Sequence, residues 1–148
     1  MSDCLDYVFR PERPSADNFS GVARTKRRIL VVDHNTLLRE GLCTLIRLQL
    51  DMELVGVAAS ESEAIHLFRE HRPELVLMDL DLPESGGIRS IREIRERDPT
   101  TCILGLLTHP GDDCAALALG AGARGCLTKD RLHRDLVTLI RECLSPGA

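Results

Sequence analysis

At 148 residues the chain has room for one domain with a full-sized core and too little left over for a second. Hydrophobic residues at 43%, charged residues at 28% and a formal net charge of -4 make an ordinary globular composition, with no electrostatic reason to expect a nucleic-acid surface. The six cysteines form no C-x-x-C pair, the N-terminus lacks a signal-like apolar core, and no apolar run nears the roughly 18 to 20 residues of a membrane span, so a soluble, cytoplasmic chain with reduced thiols is expected.

Residues 1–27 mix Asp, Arg, Pro, Ser and Asn without an apolar period and read as a disordered tail, because they cannot bury enough surface to offset ordering entropy. From Arg28 the pattern changes. Ile29-Leu30-Val31-Val32 is apolar on both faces, as in a strand buried between two helical layers, and it ends at Asp33 and His34. Leu37, Leu38, Leu42, Leu45, Ile46 and Gln49 follow at helical spacing. Glu53 to Ala58 is a second strand, and Ser60 with Glu63 three residues on predicts a capping box for a helix whose stripe is Ala64, Leu67 and Phe68. Pro73 closes that helix, and Leu75-Val76-Leu77-Met78 is a third buried strand running into Asp79.

After a turn rich in Pro, Ser and Gly, Ile88, Ile91 and Ile94 mark a third helix that stops near Asp98-Pro99, with Arg92, Arg95 and Arg97 as a solvated face. Cys102 to Leu107 is the fourth strand and leads to Thr108. A helix starting at Asp112-Asp113 runs to Gly120, Arg124 to Thr128 is the fifth strand before Lys129, and a last helix capped by Asp130 carries Leu132, Leu136, Leu139, Ile140 and Cys143. Five strand and helix alternations predict an α/β fold of three layers, with a doubly wound parallel sheet between helices. Residues 28–144 form this domain, and 145–148 are its end or the start of a linker.

Ligands of such sheets bind outside the carboxyl ends of the strands, where Asp33, His34, Asp79, Thr108 and Lys129 gather. Several charges on one rim are costly to desolvate unless a metal or phosphate compensates them. Asp33 and Asp79 offer hard oxygen ligands, Lys129 balances a phosphate, Thr108 bonds one of its oxygens, and an aspartate can itself accept a phosphoryl group.

The segments Arg28 to His34, Leu75 to Pro83, Leu106 to Thr108 and Gly120 to Asp130 resemble the signatures of response-regulator receiver domains, over roughly Arg28 to Leu144. Leu38-Arg-Glu-Gly-Leu42 and Ala121-Gly-Ala-Arg-Gly125 are closest to the branch that usually carries a C-terminal LuxR-type helix-turn-helix. The resemblance implies a flavodoxin-like (βα)5 fold and a non-enzymatic signalling role. Asp79 would accept phosphate from a sensor histidine kinase or phosphotransfer protein, with magnesium held by an acidic pair, by Asp79 and by the backbone carbonyl of Asp81. It implies Lys129 on the phosphate, Thr108 as switch hydroxyl, and output or homodimerisation through the face of the fourth helix, fifth strand and fifth helix.

Two positions depart from the family. His34 stands where a second carboxylate belongs, which weakens magnesium while an imidazole still suits manganese. Cys126 stands where the family commonly has Tyr or Phe, which reduces the volume change of the switch; otherwise it reads as core. Two rivals remain from the residues: a receiver-like docking or dimerisation module without normal phosphorylation, and a haloacid-dehalogenase-like phosphatase using Asp79 and Asp81.

Overall fold

The computed structural model describes residues 7–9, 26–109 and 113–145. In chain order the elements are β1 (Tyr7–Phe9), β2 (Arg27–Val32), α1 (Thr36–Arg47), β3 (Met52–Ala58), α2 (Glu61–His71), β4 (Leu75–Asp79), α3 (Gly86–Arg97), β5 (Cys102–Leu107), α4 (Cys114–Ala121), β6 (Gly125–Thr128) and α5 (Leu132–Leu144). Strands β2 to β6 are parallel and lie in the order β6-β5-β4-β2-β3, which is the flavodoxin-like doubly wound arrangement.

Alternation along the strands sorts the core into two layers. Ile29, Val31, Leu75, Leu77, Leu104 and Leu106 face one side, against Leu42 and Ile46 of α1 and Leu132, Leu136, Leu139 and Ile140 of α5. Leu30, Val32, Val76, Met78 and Ile103 face the other, against Phe68 of α2, Ile88, Ile91 and Ile94 of α3 and Ala118 of α4. Leu37, part of the helical apolar spacing, is 81% exposed. The capping box forms: the Glu63 amide donates to Ser60 Oγ at 3.2 Å, and Glu63 Oε1 accepts from the Ala59 amide at 2.7 Å.

Three sequence expectations need correction. The sheet has a sixth strand, because Tyr7–Phe9, expected in a tail, pairs antiparallel with β6; Arg27 likewise belongs to β2. Asp130 does not cap the last helix: Lys129–Arg131 form a single 3-10 turn, and α5 begins at Leu132 with Arg131 at its N-cap and no side-chain cap. Arg95 is not merely solvated, since its Nη2 donates to the Gly122 carbonyl at 2.7 Å and ties α3 to the end of α4. Residues 1–6 and 10–25 of the expected tail, Asp112 of the expected helix start and residues 146–148 lie outside the described residues. Among the described residues, no helix is long and apolar enough to cross a membrane.

Candidate functional site

Parallel strands end on one rim, so β2, β4, β5 and β6 deliver Asp33, Asp79, Thr108 and Lys129 to neighbouring places. Asp79 is fully buried, and its carboxylate is satisfied on both oxygens. Oδ1 accepts from Lys129 Nζ at 2.9 Å and from the Asp81 amide at 2.8 Å. Oδ2 accepts from the His34 amide at 3.1 Å and lies 2.6 Å from His34 Nδ1. An ionised carboxylate only accepts, so the proton of that last contact sits on Nδ1. Burial opposes ionisation of Asp79, but the hydrogen bonds from Lys129 and His34, then those from the Asp81 and His34 amides, outweigh it and hold its pKa below the ordinary aspartate value.

Asp33 is equally buried and less well served. Oδ1 accepts from the Asn35 amide at 2.9 Å, whereas Oδ2 has no hydrogen-bond partner; Lys129 Nζ stands 3.4 Å from it. Burial raises the Asp33 pKa, and the neighbouring Asp79 charge adds to the rise against the relief from Asn35 and Lys129. Burial alone would lower the pKa of Lys129, yet its hydrogen bond to Asp79 and the charges of Asp79, Asp33 and Asp81 raise it, so the ammonium is firmly charged.

A buried carboxylate oxygen without a donor is a place for a cation. Asp33, His34 and Asp79 present ligand atoms within 4.8 Å of one another, two carboxylates and one imidazole. The donor set fits a divalent ion, with nitrogen where an all-carboxylate site would offer oxygen, once the Nδ1 proton is displaced.

Thr108 is not on Asp79. Its hydroxyl donates to Asp81 Oδ2 at 2.5 Å, and the same oxygen lies 3.6 Å from Lys129 Nζ. Cys126 is buried on β6, its thiol 4.0 Å from the Ala115 carbonyl, and burial pushes its pKa up to about 12, so it is a poor nucleophile. Its sulfur would lie 3.2 Å from a Cβ added at Gly105, which leaves little slack around it.

Sequence reasoning brought together Asp33, His34, Asp79, Thr108 and Lys129, and missed four contributors. Asn35 caps α1 by accepting from the Leu38 amide while its own amide serves Asp33. Asn after a strand and before an apolar helix was the available signal. Arg39 Nη1 donates to the Asp33 carbonyl at 2.9 Å. The carboxylate of Asp81, which the receiver resemblance left out in favour of its carbonyl, belongs to the site through Thr108 and Lys129. Gly87 lets α3 approach β4 so closely that a Cβ would lie 2.3 Å from the Asp79 carbonyl oxygen.

The family model described as the response regulator receiver domain matches residues 29–141. The uncharacterized transcriptional regulatory protein YhcZ of Bacillus subtilis is 36% identical over 110 residues, which is 74% of this chain and 51% of that protein. The chain therefore spans about half the length of the curated relatives it matches. Among solved structures, a two-component response regulator of the LuxR family from Aurantimonas sp. SI85-9A1 superimposes with a TM-score of 0.75 at 36% identity, covering 84% of this chain and 90% of that one. The response regulator domain of Thermotoga maritima CheB gives 0.73 at 27% identity, covering 80% and 96%.

Proposed function

The chain belongs to the response-regulator receiver family, and from that membership we propose that Asp79 accepts a phosphoryl group from a sensor histidine kinase or phosphotransfer protein. Receivers of this family interact with such donors, and the relatives include transcriptional regulators as well as protein-glutamate methylesterases. Here the domain would control an output domain or partner through the fourth-helix, β6 and α5 face, which is also the proposed homodimer face. Membership sets aside the dehalogenase-like phosphatase reading.

One observation carries the residue assignment: Asp79 is buried at a strand end, held ionised by four donors, with an ammonium on one of its oxygens. In the reaction a carboxylate oxygen of Asp79 forms the O–P bond as the N–P bond of the donor phosphohistidine breaks. The donor imidazole leaves with the electron pair and takes up a proton. Lys129 stays beside the transferred group and neutralises charge on its oxygens, so most of the rate comes from positioning and electrostatics. Magnesium or manganese held by Asp33, Asp79 and the Asp81 carbonyl, with His34 Nδ1 as a nitrogen donor, would supply further charge neutralisation. Thr108 then exchanges Asp81 for a phosphate oxygen, which biases the domain toward its second state.

The test is incubation with acetyl phosphate and either metal, read by intact mass. The wild type gains one acid-labile phosphate and Asp79→Asn gains none. Labelling of Asp79→Asn would overturn the assignment, and an unlabelled wild type would favour a module that docks without phosphorylation, for which the His34 contact to Asp79 is the supporting observation.

A further inference from the structure

Strand β6 ends the parallel part of the sheet, so one of its sides would present a row of unpaired N–H and C=O groups. Its sequence, Gly125-Cys126-Leu127-Thr128, has no charge and no proline, the usual devices that keep such an edge from pairing with another chain. The cations at its two ends are turned inward: Arg124 Nη1 donates to the Cys143 carbonyl at 3.1 Å, and Lys129 binds Asp79. The edge is covered instead by β1, with Tyr7 opposite Leu127, Val8 opposite Cys126 and Phe9 opposite Gly125. This cover lies outside the residues 29–141 that match the family model.

We propose that β1 is a displaceable cover that keeps the β6 edge from pairing with the β6 edge of a second copy of this chain. A strand of three residues contributes little stability alone. It holds the edge because it belongs to the same chain, so its pairing is intramolecular and a second copy has to compete with an effective concentration far above its own. A second copy at micromolar concentration loses that competition while β1 is in place. Once β1 leaves, antiparallel pairing of β6 with its own copy about a two-fold axis satisfies both edges, and such a contact is self-complementary by symmetry.

The test is the full chain carrying Val8→Pro and Phe9→Pro. Successive amides of a strand point to opposite sides, so one of the two prolines removes a donor to β6 whatever the pairing phase. Both substitutions lie outside the matched span, and the domain keeps its fold. At low micromolar concentration the β6 amides should exchange about tenfold faster or more in the variant than in the wild type. At high concentration the variant should sediment as a dimer and regain that protection while the wild type stays monomeric. Equal exchange in the two proteins removes the cover. Fast exchange in a variant that stays monomeric, or a dimer that leaves β6 unprotected, removes the second copy as the competitor.

Discussion

Asp33 and Asp79 sit side by side, equally buried, and differ in their donors. Asp33 lacks a donor on Oδ2, and its pKa is raised, so its ionised form destabilises the fold. Asp33→Asn should therefore increase stability of the metal-free protein at neutral pH, by about 1 to 2 kcal/mol. The sign follows from linkage: a raised folded pKa costs stability at pH above it, and the cost fades as pH falls through that pKa toward the unfolded value near 3.8. The advantage of the variant, read from urea unfolding at several pH values, should shrink toward zero in acid. A variant less stable than wild type at neutral pH would contradict this account of Asp33. Asp81 invites a second prediction. Its bond to Thr108 must break before the hydroxyl reaches a phosphate, and a hydrogen bond to a charged group contributes about 1.5 to 3 kcal/mol. Asp81→Ala should bind the phosphate mimic beryllofluoride about tenfold more tightly. In a Thr108→Val background most of that gain should vanish; a gain of the same size there would assign it to the removed charge instead.

At the scale of elements, the parallel strands were legible because a strand buried on both faces is a short apolar run, and Leu75 to Met78 or Cys102 to Leu107 admit little else. Alternate residues of β2 then face the two core layers. Elements fixed by backbone contacts were not legible. β1 carries no period that a three-residue strand could show, and its partner lies far along the chain. The start of α5 moved because Lys129 is drawn to Asp79, and the chain takes a 3-10 turn before the helix opens. In the site the charged rim was readable because strand ends share one edge, whereas the Asp81 side chain was hidden, since spacing does not say that a residue two past a strand folds back onto Thr108. Gly87 gives the element-scale prediction. A methyl group there would lie 2.3 Å from the Asp79 carbonyl oxygen and 3.0 Å from the Leu80 Cα, backbone atoms that cannot turn aside. Gly87→Ala must push α3 away from β4, with a cost of about 2 to 4 kcal/mol in chemical denaturation and slower labelling of Asp79. Gly41, with nothing within 4 Å of an added Cβ, is the control, and Gly41→Ala should be neutral or slightly stabilising. Equal effects at the two glycines would mean that close packing of α3 on β4 is not what Gly87 provides.

For the molecule as a whole, the rim concentrates charge that the rest of the fold has to hold in place. Asp33, Asp79 and Asp81 face one fixed ammonium, while the two core layers pull the strand ends together. Unfolding releases those carboxylates to water and destroys the shared site, so a divalent ion that needs the site binds the native state and stabilises it by RT ln(1 + [M]/Kd). The melting temperature should climb with metal concentration, by about 2.7 kcal/mol of stabilisation at a hundred times Kd. His34 decides which ion does so at lower concentration. With an imidazole nitrogen in the donor set, manganese should act at well below the magnesium concentration needed for the same shift, because magnesium prefers oxygen and a borderline ion accepts nitrogen. His34→Asp replaces that nitrogen with a carboxylate and should move the magnesium midpoint down by an order of magnitude or more, narrowing the gap between the ions. Thermal titrations of both proteins with both chlorides supply the four midpoints. If His34→Asp leaves the magnesium midpoint where it was, His34 lies outside the ligand set, and its contact with Asp79 serves only to hold that carboxylate.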